Sequence, residues 1–135
     1  MALSLTRYGA KALQDHALGL ASAAFGPKYF ALFSSDPTED GLTTGEPSGN
    51  GYARLLLTSS MSPTTLATGY AVNSSLIQFA TATGQWGTTP LTHFGTMDAL
   101  TGGNMWHYGA LAMSFLVYTG DAPPFSEGSI IFIMD

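Results

Sequence analysis

Residues 91–111 read Leu-Thr-His-Phe-Gly-Thr-Met-Asp-Ala-Leu-Thr-Gly-Gly-Asn-Met-Trp-His-Tyr-Gly-Ala-Leu, and this stretch decides the fold. It has the form of two strands closed by a tight turn. Over 91–98 the side chains alternate between Phe94/Thr96/Asp98 and His93/Gly95/Met97. Over 104–111 they alternate between Trp106/Tyr108/Ala110 and Met105/His107/Gly109. The intervening Gly102-Gly103-Asn104 reaches positive φ cheaply, as a short hairpin connection requires. Aromatic residues on both arms suit a half-buried pleated surface. The hairpin is the expected centre of a β domain, and nothing in it looks catalytic.

Working outward, residues 28–34 (Lys-Tyr-Phe-Ala-Leu-Phe-Ser) predict a strand apolar on both faces, hence central or covered. Residues 35–50 are rich in turn formers and predict a long acidic loop. A second strand is expected over 51–58, with Tyr52, Arg54 and Leu56 on one face. Short strands follow at 76–80 and 113–118, and 129–134 predicts an apolar C-terminal strand that must be covered. Residues 59–75 lack a clean period and read as a connection, with an edge strand near 70–72.

Upstream, residues 4–18 carry the one amphipathic helix. Ser4 or Thr6 can cap it, Leu5, Tyr8, Ala12, Leu13 and His16 form its apolar stripe, and Gly19 is placed to end it. Packing of this helix over its own sheet is favoured over docking on a partner. The expected fold is all-β, a mainly antiparallel β-sandwich or flattened barrel with one short N-terminal α-helix over about residues 4–18. One β-rich domain is expected over 1–135.

Composition narrows the function. The chain of 135 residues is 45% hydrophobic and 10% charged, against about 25% charged in ordinary globular proteins. So little charge on a small surface favours burial against partners, and a homo-oligomer or larger assembly is expected. Arg7, Lys11, Lys28 and Arg54 face nine acidic residues, for a net charge of −5. A nucleic-acid groove needs clustered Lys and Arg, and an anionic membrane surface needs the same, so neither partner is expected. With no cysteine there is no disulfide, thiolate nucleophile or cysteine metal site, which fits a reducing cytoplasm. No run of 18 apolar residues marks a membrane span, and polar residues break the N-terminus before a signal sequence forms. A soluble protein without a cleaved signal is expected.

Candidate sites mostly fail. His93 and His107 lie on paired strands and could approach each other, but with His16 they lack a zinc-ligand spacing. Asp36-Pro37-Thr38-Glu39-Asp40-Gly41 lacks the spacing of a calcium loop and reads as a solvated turn. Gly45-Glu46-Pro47-Ser48-Gly49 is only superficially a nucleophile elbow, and no carboxylate pair spans a cleft. No catalytic residue, metal site or cofactor is expected. Arg54, one of few cations, suits a fold-fixing ion pair, with Asp98 as the expected partner.

Several motifs then recur in order: Leu32-Phe33-Ser34-Ser35-Asp36-Pro37; Gly51-Tyr52-Ala53-Arg54; Ile77-x-Phe79-x-x-Ala82-Thr83-Gly84-x-Trp86-Gly87; Thr92-His93-Phe94-Gly95; Asp98-Ala99; Thr101-Gly102-Gly103-Asn104; and Tyr108-Gly109-Ala110-Leu111. Together they resemble the small tail-fibre-like structural proteins of tailed bacteriophages, across nearly the whole chain. The resemblance implies a non-enzymatic, β-rich virion protein, assembled in the host cytoplasm against other virion proteins. Its place is the tail tip, the fibre or, as a decoration, the capsid. Thr96-Met97 stands where a more hydrophobic pair is expected, and Thr89-Pro90 looks like an insertion. Residues 59–75 match nothing in the family pattern, so Leu66 and Tyr70 are the expected partner contact. The alternative is a receptor- or carbohydrate-binding module using Trp86 or Trp106 as a stacking platform.

Overall fold

A computed structural model of the chain describes residues 3–20, 25–64, 66–67 and 69–133. The central hairpin forms as read. Strand β6 (Leu91–Met97) runs antiparallel to β7 (Met105–Phe115). Asp98 N–H donates to the Asn104 carbonyl (3.0 Å), and Asn104 N–H donates to Asp98 Oδ1 (2.7 Å). Gly102 and Gly103 take φ of 61° and 73°. A Cβ on Gly103 would stand 2.4 Å from Asp98 Oδ1, so the turn requires glycine there.

Strand β2 (Tyr29–Phe33) lies against β6, and the sheet is completed at its edges by β1 (Ser4–Leu5) beside β7 and β3 (Leu55–Leu56) beside β2. The order is β1-β7-β6-β2-β3, all antiparallel. The register opposes Phe30 to Thr96 and Leu32 to Phe94 on one face, and Tyr29 to Met97 and Ala31 to Gly95 on the other. Over the first face lie two small sheets, β4 (Tyr70–Val72) with β9 (Ile131–Ile133), and β5 (Ile77–Gln78) with β8 (Pro124–Phe125). Phe30, Leu32 and Phe94 from below meet Ile77, Phe79, Trp86, Phe125 and Ile130 from above in the main core. The architecture is the expected antiparallel sandwich. On the second face Ala31, Phe33, Met97 and Met105 form a smaller core, which the 35–50 loop approaches at Gly41.

Asn73 ties this upper layer together. Fully buried, it accepts from Ile130 N–H (2.9 Å) through Oδ1 and donates to the carbonyls of Ser75 (3.0 Å) and Ser126 (2.8 Å). Each of its polar atoms thus finds a partner, as burial demands.

The helix α1 (Arg7–Ala17) begins three residues later than its pattern suggests, because Ser4 and Leu5 pair with Tyr108 and His107 of β7. Thr6 is the cap. Its Oγ1 accepts from Gly9 N–H (3.1 Å) and donates to the Met105 carbonyl (2.5 Å). At the far end Gly19 (φ 72°) closes a Schellman motif, with Leu20 N–H on the Asp15 carbonyl and Gly19 N–H on that of His16. The helix packs on its own sheet. Ala12 and Gly9 are its buried residues, and His16 is exposed against Phe25 rather than buried in the stripe.

Two strand expectations need correction. The 51–58 strand shrinks to Leu55–Leu56, because Gly51 sits at φ 81° and Tyr52 N–H turns back to the Gly49 carbonyl. Leu56 is exposed and leaves the face shared by Tyr52 and Arg54. The 113–118 strand is no separate element. Its first residues are the end of β7, reached through an irregularity that places 111–114 opposite Thr92. The last two residues of the C-terminal segment lie outside the described residues, and its strand is Ile131–Ile133.

Candidate functional site

The densest polar cluster is built on Arg54. Its Nε and Nη2 donate to the two oxygens of Glu46, each at 2.7 Å, in a bidentate pair whose side chains are 5% and 14% exposed. Its Nη1 donates to the carbonyls of Ala99 (2.8 Å) and Gly102 (2.7 Å) in the central turn. Tyr52 hydroxyl donates to Glu46 (2.9 Å) and accepts from Leu32 N–H (3.2 Å), a residue of β2 beyond the two that pair with β3. Hydrogen bonding to Glu46 raises the guanidinium pKa of Arg54. Burial, then the Glu46 charge, raises the Tyr52 phenol. Both groups are held in one protonation state, as a clamp requires and an acid–base catalyst does not.

Arg54 is thus in an ion pair, but its carboxylate is Glu46 and not Asp98. The 35–50 loop folds back far enough to place Glu46 in the plane of the guanidinium. Asp98 is used locally, on Asn104 N–H and on Trp106 Nε1 (3.4 Å), and acts on Arg54 only through its charge.

The register separates His93 from His107. Met97 pairs with Met105, but Thr96 pairs with His107, so Trp106 is an extra residue in β7. One extra residue turns the following side chains to the opposite face. His93 opposes Phe33 on the lower face, where its Nε2 stands 3.9 Å from Asp36 Oδ1. His107 shares the upper face with Thr96, whose Oγ1 is 3.0 Å from its Nδ1. Among the described residues no three His, Asp or Glu side chains gather as a metal cluster. Asp36 accepts from Thr38 N–H (2.8 Å), the hydrogen bond of an ordinary Asx turn.

Neither tryptophan offers a stacking face. Trp86 and Trp106 are 3% and 2% exposed; Trp86 Nε1 donates to the Asn50 carbonyl, and Trp106 is covered by Tyr8, Phe25 and Lys28. Thr96, unexpectedly polar by the family pattern, is buried and satisfied by His107.

Apolar side chains are exposed at several places, and two of them share one face of the β4–β9 ribbon. Tyr70 pairs with Ile133, so the two side chains share a face, and they are 39% and 51% exposed. Leu66, just before β4, is wholly exposed. The partners Ala71 and Phe132 turn the other way, toward the sheet. Among the described residues no helix is long and apolar enough to cross a membrane.

A comparison with curated proteins finds no match. The family described as podophage GP4 fiber I protein gp80 matches over residues 4–132, nearly the whole chain. That match supports a structural role in a phage tail fibre, within the virion and alongside other virion components. The chain belongs to the podophage GP4 fiber I protein gp80 family.

Proposed function

We propose that this protein is a non-enzymatic building block of the fibre, assembled in the host cytoplasm, that acts by docking its β4–β9 ribbon on another virion protein. Self-association into a homo-oligomer accompanies that docking. The observation that carries the reading is the partly exposed apolar face shared by Tyr70 and Ile133, with the exposed Leu66 four residues before Tyr70 in the chain. On a chain with so few charges this face gains by leaving water, at about 25 cal/mol per Å2 of apolar area buried. The rigid Arg54–Glu46 clamp and fully buried core supply a firm scaffold and no reacting group. Among the alternatives, carbohydrate stacking lacks an exposed indole, and capsid decoration has no structural feature in its favour.

The test is Leu66→Asp with Tyr70→Asp. Assembly into particles, followed by mass spectrometry and antibody labelling in electron microscopy, should fall sharply while the thermal melt stays within a few degrees of wild type. Wild-type incorporation would refute the ribbon as the contact. Unfolding would make these residues core. Regular labelling over the head instead of the tail would transfer the protein to the capsid.

A further inference from the structure

On the upper face of the sheet, α1, the inner side of the β4–β9 ribbon and β6–β7 border an open groove of about 370 Å3. That volume falls in the range of small-molecule sites, about 300–1,000 Å3. Leu13, Leu57, Met61, Ala71 and Phe132 make it apolar, and Lys28 and His107 bring it two nitrogen donors.

Lys28 is the odd cation of the chain. Arg7, Lys11 and Arg54 each pair with a carboxylate. Lys28 pairs with none among the described residues; its ammonium lies 4.3 Å from the Trp106 ring centroid and donates once, to the Gly26 carbonyl. Protons remain for a ligand. His107 is poised similarly. Thr96 Oγ1 accepts from His107 backbone N–H (3.2 Å), and its one hydroxyl proton can be donated to Nδ1 at 3.0 Å. With that proton donated to Nδ1, the ring carries its own proton on Nε2. Nε2 has no acceptor among the described residues and is not sealed from solvent. Burial and the charge of Lys28 hold the ring's pKa at about 4, so it is a neutral donor at pH 7.

We propose that this groove binds a small amphiphilic carboxylate, with its alkyl or aryl body on Leu57, Met61 and Phe132 and its two oxygens on Lys28 and His107 Nε2–H. A neutral apolar guest would cover the ammonium with no hydrogen-bonded acceptor and only the unbonded charge of Asp98 to offset it, which is costly. A carboxylate supplies two acceptors for two donors, and its bond to the ammonium is charge-assisted. The net charge of −5 gives the surface no general pull on anions, so selectivity is local to Lys28. The inference is independent of the fibre reading.

Decanoate and decanol, which share a body and differ in the head group, are the probes for titration calorimetry on the full chain. Decanoate should bind saturably, about tenfold or more tighter than decanol. Lys28→Gln should erase that difference, and Ala71→Phe, which fills the groove, should abolish both. No saturable decanoate binding by the folded protein overturns the proposal, as does binding unchanged in both variants. Should Ala71→Phe fail to fold, the 15N shift of His107 Nε2 decides: it moves on titration if the carboxylate docks there. A shift that stays still refutes the site even when heat is released.

Discussion

Replacing Arg54 by Met removes the clamp's cation while keeping much of its apolar stem. Four hydrogen bonds go with it, two to Glu46 and one each to Ala99 and Gly102. An exposed ion pair would contribute about 0–1 kcal/mol. Here the side chains are 5% and 14% exposed, so the Glu46 carboxylate is left almost dry, with the Tyr52 hydroxyl as its one remaining side-chain donor among the described residues. Breaking such a pair costs about 3–5 kcal/mol, because the surviving charge is uncompensated. Domains of this kind hold about 5–15 kcal/mol in total, so Arg54→Met should retain a reduced but measurable transition. Urea unfolding followed by tryptophan fluorescence reads it, since Trp86 packs edge-on against Tyr52 at 5.1 Å. Glu46→Leu in the Arg54→Met background removes the stranded charge, and the double variant should recover at least about 2 kcal/mol of the loss. A single-variant loss below about 1 kcal/mol would refute the reasoning, as would a double variant equal to the sum of its parts.

Two further predictions test the packing of β7. His107 has a folded pKa of about 4, pushed down by burial and then by Lys28, and it titrates near 6.5 when unfolded. Above pH 6.5 it is neutral in both states; as pH falls from 6.5 to 4 the unfolded chain takes up the proton first and stability is lost, by about 3 kcal/mol in all. Wild-type stability minus that of His107→Leu, measured by urea unfolding at several pH values, should therefore fall across this window, and a flat difference sinks the assignment. Gly9→Ala should lower the melting temperature although alanine favours helix by about 1 kcal/mol. The added Cβ would stand 2.4 Å from the Trp106 carbonyl oxygen, backbone that cannot swing aside. A net loss of about 1–3 kcal/mol is expected, and a variant more stable than wild type would show that the helix can lift off.

Local patterns read well from the sequence. The 91–111 hairpin, the edge strand at Tyr70–Val72 and the Gly19 helix stop depend on neighbours a few residues away, through alternation, turn chemistry and capping. The expected strand at 113–118 failed because an apolar run in sequence cannot reveal that β7 reaches Phe115 through an irregularity opposite Thr92. Of the candidate residues, Arg54 was recognisable as an ion-pair former from the scarcity of cations. Its choice of Glu46 over Asp98 was not, since that depends on how the 35–50 loop folds back. The buried role of Asn73, bridging Ser75, Ser126 and Ile130, carries no local signature at all.

The sequence by itself determined the fold class and the fibre-like family pattern, because periodicity, composition and motif order are properties of the chain. It also determined the lack of a ligand spacing for metal or a nucleophile motif. Only the tertiary structure decided which faces the histidines occupy. A single extra residue, Trp106, reverses the side chains from His107 to Ala110, so His107 turns away from His93 and onto Thr96 beneath the ribbon. The same packing turns Ala71 and Phe132 into a groove and leaves Tyr70 and Ile133 partly exposed on the other side. Alternation marks two faces on a strand; what covers each is settled by contacts between residues far apart in the chain.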